Sequence, residues 1–213
     1  MIVSGLFLFS LITCSTLFAQ QNLINNGDFE AYSIYGQITP PSYTAYTRVS
    51  GPYVVEAGHY CIDNTTSGHG GGVGFPTLSN SHGKYMIVNG WGGSSAPSKV
   101  VWKQTVNVTP QTDYTLSYRY VTLNRVIYGQ IIQAKLQVKI NETNFGGVNT
   151  LPSNNSWHEW NNNGVKWNSG NSTQATIEIF DVYSGNEYEL GILYIFRNSS
   201  GIVMGCWCMG SME

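Results

Sequence analysis

An all-β fold of two antiparallel sheets packed as a sandwich is predicted by three observations. Short runs of alternating apolar and polar residues recur along the chain, β-branched and aromatic residues are enriched in them, and clusters of Gly, Asn, Ser and Pro separate them. No segment shows the periodicity of an amphipathic helix, and no internal repeat is present. The 213 residues suffice for one such sandwich with a sizeable core.

Residues 1 to 19, MIVSGLFLFSLITCSTLFA, read as a secretory signal peptide, apolar from Ile2 to Ile12 and then smaller up to Ala19. The run is short for a membrane span and is broken by Ser10, Thr13, Ser15 and Thr16, so no membrane association is expected after cleavage. Asn22 to Glu30 reads as an entry strand that breaks at Asn26-Gly27. Pro40-Pro41 marks a loop, and Tyr43 to Val49 and Val54 to Ile62 read as strands. Asp63 to Gly83 is loop, with Gly68, Gly70, Gly71, Gly72 and Gly74 too flexible for a regular element. Lys84 to Asn89 is a nearly continuous apolar run, as expected of a strand covered on both faces.

Val100 to Val108 and Tyr114 to Thr122 carry the clearest alternation and read as a hairpin, joined by a turn at Thr109-Pro110-Gln111-Thr112-Asp113. Gln133 to Asn141 alternates cleanly, with Ala134, Leu136, Val138 and Ile140 on one face. Trp157 to Trp167 reads as a strand, an Asn-Gly turn and a further strand start. Ala175 to Val182 and Glu189 to Phe196 complete about nine or ten strands. Residues 197 to 213 show no pattern and read as an irregular tail, as from an altered or truncated longer protein.

Only 10% of residues are charged, 13% are aromatic, and the formal net charge is −2. Ten Lys and Arg in all give no basic patch for nucleic acid or anionic lipid. Asp28, Asp63, Asp113 and Asp181 form no paired-carboxylate motif, and His59, His69, His82 and His158 are scattered without metal-ligand spacing. Neither a Gly-x-Ser-x-Gly nor a His-Glu-x-x-His motif occurs, so a non-catalytic protein is expected. Removing the leader leaves Cys61, Cys206 and Cys208, an odd number for an exported chain.

The segments NLINNGDFE, SHGKYMIVNG, KVVWKQTVNVTPQTDYTLSYRY, WHEWNNNGVKW and SGNEYEL, in that order, resemble the galactose-binding-like jelly-roll modules related to carbohydrate-binding modules. The version they resemble is the one in exported surface proteins of Bacteroidetes, and the match covers residues 22 to 196. The resemblance implies a jelly-roll sandwich that is secreted or held at the cell surface beside neighbouring domains of a longer protein. Its implied function is glycan binding without catalysis, or else an adhesive or structural task with no small ligand. It also implies a structural calcium between the Asn-Gly-x-Phe-Glu segment and the last strand, here Asp28, Glu30 and Glu189. Gly191-Ile192 stands where the family carries an acidic pair, which removes two of the expected ligands.

For the glycan itself the alternation suggests a polar sheet face. With Leu116, Tyr118 and Tyr120 inward beside Ala134, Leu136 and Val138, the residues Ser117, Arg119, Lys135, Gln137 and Lys139 share the other face. Glu178 joins them if Ile177 and Ile179 are core. Trp91, at a loop tip, is the leading candidate to stack on a sugar ring, with Tyr43 and Tyr46 behind it. Trp102, Trp157 and Trp167 are expected to pack, and Trp160 is open to either role.

Overall fold

The computed structural model describes residues 21–51, 54, 56–69, 83–90, 98–123, 126–127, 130–131, 133–152, 154–182, 193–197 and 203–204. Residues 1–19, expected to be a signal peptide, and Trp91, Glu189, Gly191, Ile192, Cys206 and Cys208 lie outside them. In chain order the strands are β1 (Gln21–Asn22), β2 (Ser42–Tyr43), β3 (Thr47–Arg48), β4 (His59–Asp63), β5 (Tyr85–Asn89) and β6 (Lys99–Asn107). They continue as β7 (Asp113–Tyr114), β8 (Tyr118–Leu123), β9 (Val126–Ile127), β10 (Gln130–Ile131), β11 (Lys135–Ile140) and β12 (Thr143–Asn144). The last are β13 (Asn149–Thr150), β14 (His158–Trp160), β15 (Trp167–Asn168), β16 (Gln174–Asp181), β17 (Leu193–Arg197) and β18 (Val203–Met204).

Two six-stranded sheets carry the jelly-roll sandwich. Sheet I runs β12-β11-β16-β6-β2 with β13 added on β11, and sheet II runs β14-β8-β17-β5-β4-β3. Every pairing within them is antiparallel except β3 with β4. Alternation explains how they meet. Gln104 and Val106, Ala175, Ile177 and Ile179, and Leu136, Val138 and Ile140 turn inward from sheet I; Tyr60, Ile62, Met86, Val88, Tyr118 and Tyr120 meet them from sheet II. The register slips between Ile179 and Phe180, opposite an extra residue of β6, so that Val101 and Trp102 are both buried.

Sheet II is covered on its outer side as well. Val54, Cys61, Tyr85, Ile87 and Val121 form a second buried cluster there, with Val49 and Trp157 packed against it. All five residues of β5 are therefore buried, as its continuous apolar run predicts.

The expected hairpin is not one. β6 pairs with β16 and β2 in sheet I, whereas β8 pairs with β14 and β17 in sheet II. The connection crosses the sandwich: β7 pairs with β15, the Thr109 N–H donates to the Tyr114 hydroxyl at 2.6 Å, and the Ser169 hydroxyl donates to the Thr109 carbonyl at 2.7 Å. Alternation fixes which face of each strand is buried, and two strands facing one another across a core satisfy it as well as two neighbours do.

Three further segments differ from expectation. After Asn22 the entry segment is turn rather than strand, with Asn26 and Phe29 in the left-handed region at φ 52° and 62°. The buried Gln104 holds it, accepting the Asn25 N–H at 2.8 Å and donating to the Asn25 carbonyl at 3.0 Å and the Ser42 hydroxyl at 2.7 Å. Tyr43 to Val49 splits into β2 and β3 in different sheets, and β18 pairs with β1 where the sequence reads as irregular tail. No helix among the described residues is long and apolar enough to cross a membrane.

Candidate ligand-binding face

The outer face of sheet I is polar because its strands bury the alternate residues. Register places Tyr43 (β2), Lys103 (β6), Glu178 (β16), Lys139 (β11) and Asn144 (β12) in one row across it. The Lys103 ammonium lies 2.9 Å from a Glu178 carboxylate oxygen. Lys139 sits over the Phe180 ring, 4.4 Å from its centroid. Thr105 and Thr176 bond one another at 2.8 Å in the next row.

Tyr43 ends the row on the edge strand and is 55% exposed. It also lines an open cavity of about 410 Å³ walled by Gln37, Pro40, Thr44, Tyr46, Arg48 and Tyr60 among others. The walls are fixed from behind. The Tyr46 hydroxyl donates to the buried Asp181 carboxylate at 2.7 Å, the Tyr60 hydroxyl accepts the Ile38 N–H at 3.0 Å, and Arg48 donates to the Tyr35 carbonyl at 3.0 Å. Burial raises the ionisation of Tyr60 above its ordinary value, so it stays a neutral phenol.

A second cleft of about 310 Å³ lies at the sandwich edge, lined by Tyr120, Gly147, Asn149, Glu159, Trp160 and the run 161–163. Its aromatic wall is committed to packing. Trp160 stacks on Tyr118 with centroids 5.1 Å apart and meets Phe145 edge-on at 6.2 Å.

The sequence-predicted residues separate into two groups. Lys135, Gln137, Lys139 and Glu178 share the outer face of sheet I. Ser117 and Arg119 do not join them, because β8 belongs to the other sheet; the Arg119 guanidinium lies 5.9 Å from the Trp157 ring on the outer side of sheet II. Gln137 is 7% exposed, and its amide donates to the Val138 and Gly146 carbonyls at 2.9 and 3.1 Å, pinning the strap after β12. Trp102 is core, and Trp157 and Trp167 are partly buried packing residues.

At the amino-terminal corner the Glu30 N–H donates to Asp28 at 3.2 Å, and the Glu30 carboxylate accepts the Lys84 N–H at 2.7 Å. The Lys84 ammonium donates to the Glu30 and Tyr32 carbonyls at 2.9 and 2.6 Å. Glu189, the third expected calcium ligand, lies outside the described residues.

The cavity beside Tyr43 is the part that sequence reasoning missed. Only the aromatic spacing of Tyr43 and Tyr46 hinted at it, since Gln37, Arg48 and Tyr60 arrive from segments with no common pattern.

No family model matches the sequence, and no curated protein matches it. Among solved structures, TmCBM61 in complex with beta-1,4-galactotriose is similar with a TM-score of 0.48 at 10% identity, over 88% of this chain and 99% of that one. CBM4 follows at TM-score 0.44 and 13% identity, over 86% of this chain and 99% of that one. The enzymatically active domain of bacteriophage CBA120 tailspike protein 4 gives TM-score 0.46 and 10% identity, over 87% of this chain but 21% of that one. None of these likenesses bears on the side chains described above.

Proposed function

We propose that the chain is an exported, non-catalytic carbohydrate-binding module whose glycan lies in the Tyr43 cavity and along the lysine row of sheet I. The observation that carries this reading is the continuity of an open cavity of about 410 Å³, an exposed tyrosine and a polar sheet row. The volume is in the range of small-ligand pockets, roughly 300 to 1,000 Å³. A pyranose presents an apolar C–H face to the Tyr43 ring and hydroxyls to Gln37, Thr44 and Arg48, which suits a ligand that is half apolar and half hydroxyl. Lys103, Lys135 and Lys139 against Glu178 bias the row toward glycans bearing carboxylates, with an affinity that falls as salt rises.

Affinity electrophoresis through gels of neutral and acidic polysaccharides tests the reading. Retention by at least one glycan is expected, and Tyr43→Ala weakens it about tenfold, the worth of one aromatic stacking contact. A folded protein retained by none of a broad panel overturns the reading and leaves an adhesive or structural module. Calcium at Asp28, Glu30 and Glu189 is a separate proposal, supported by a melting temperature that rises with added calcium and removed by one that does not.

A further inference from the structure

The outer cluster of sheet II contains three metal-ligating side chains that glycan binding does not use. Cys61 and Asp63 lie two residues apart on β4 and so point to the same face. His69 returns over them from a turn in which its own N–H donates to the Thr66 carbonyl at 3.2 Å. All three are at most 2% exposed, and their sulfur, oxygen and nitrogen lie within 4.8 Å of one another. His69 Nε2 is 3.1 Å from Asp63 Oδ2 and 4.0 Å from Cys61 Sγ. In a tetrahedral site with bonds of about 2.0 to 2.3 Å, neighbouring donors stand roughly 3.3 to 3.7 Å apart, so these separations bracket the required edge.

An unpartnered polar group lies on the same face of sheet II. The Tyr85 hydroxyl is fully buried on this face with no hydrogen-bond partner among the described residues, and Tyr85 pairs with Asp63 in the strand register.

A nucleophilic triad fits these atoms poorly. The imidazole nitrogen nearest Asp63 is no nearer the thiol than the other, both standing 4.0 Å from Sγ. The thiol is also sealed from any substrate.

We propose that Cys61, Asp63 and His69 form a closed structural site for a zinc ion, which fastens residues 64–69 onto sheet II. Binding expels the Cys61 thiol proton. The imidazole proton shared between Nε2 and Asp63 moves to Nδ1, which gives up a long 3.3 Å bond from the Val54 N–H. Asp63 Oδ1 keeps its 2.7 Å bond from the Asn64 N–H. One proton leaves for each zinc bound. Glycan binding is not involved.

The test uses the full chain with Cys14→Ser, Cys206→Ser and Cys208→Ser, which leaves Cys61 as the sole thiol. Titration with cobalt(II), read by thiolate-to-cobalt charge-transfer absorption, should saturate at one ion per chain, and zinc should bleach the signal and raise the melting temperature. His69→Gln should weaken cobalt binding at least about a hundredfold, beyond what loss of an outer-shell partner costs. Cys61→Ala should abolish the absorption. If Cys61→Ala fails to fold, the sole-thiol protein still decides: absence of the charge-transfer signal there, or a melting temperature unmoved by zinc, overturns the site. Loss of the signal on removing Cys206 and Cys208 assigns the metal to the tail and overturns it equally.

Discussion

At the scale of single residues, the division of labour on sheet I rests on Tyr43, Lys103 and Glu178. Tyr43 is exposed, so Tyr43→Ala should leave the melting temperature within a few degrees of the parent while glycan retention falls. Lys103 and Glu178 differ: the carboxylate side chain is 9% exposed and the ammonium side chain 40%. Lys103→Met leaves a mostly buried carboxylate without its ion-pair partner and should cost about 1 to 3 kcal/mol in chemical denaturation. Arg119→Ala separates the sequence reading from the structural one. With Arg119 on the far sheet beside Trp157, that variant should retain the parent's glycan affinity. A loss of retention as large as that of Tyr43→Ala would place the site on sheet II.

At the scale of elements, β16 is the strand most of sheet I depends on, paired with β6 from Gln174 to Asp181 and with β11 from Ile177 to Asp181. Ile179→Ala, at 1% exposure, should cost about 2 to 5 kcal/mol, read as a lower denaturant midpoint. The strap after β12 is sensitive in another way. Gly146 has φ +79°, and a Cβ there would run into the Asn162 side chain, so Gly146→Ala should destabilise by about 1 to 3 kcal/mol.

What the sequence revealed follows the same boundary between local and non-local information. β5, β11 and β16 were legible because burial on one or both faces writes itself into neighbouring residues. The partner of each strand was not. The residues around Thr109 to Asp113 satisfy a hairpin pattern, yet the strands on either side pair in different sheets. That single misplacement moved Ser117 and Arg119 onto the lysine face. His69 was unreadable as a ligand for the same reason, since its meeting with Cys61 and Asp63 depends on a turn over the sheet and not on a spacing motif.

At the scale of the whole molecule, burial holds two phenols of the core in the protonated form. Burial raises the ionisation of Tyr60 and Tyr118 above the ordinary 10.0. Groups raised in the folded state bind protons more tightly there than in the unfolded chain. Their contribution is fully present below the unfolded values and is lost as pH climbs through the folded ones. Denaturant midpoints should therefore be insensitive to these groups from pH 6 to about 8 and fall above roughly pH 9 to 10, by up to about 1.4 kcal/mol per pH unit for each group titrating. A midpoint that holds level to pH 11 would show that the phenols are not sealed in the core.

The central claim is that a glycan is held at the junction of the Tyr43 cavity and the lysine row. The most direct measurement is affinity electrophoresis of the parent, Tyr43→Ala and Arg119→Ala side by side, through the polysaccharide that retains the parent most. Strong retention of the parent and Arg119→Ala with about tenfold weaker retention of Tyr43→Ala is the predicted result. Equal retention of Tyr43→Ala and the parent, with both proteins folded, would contradict it.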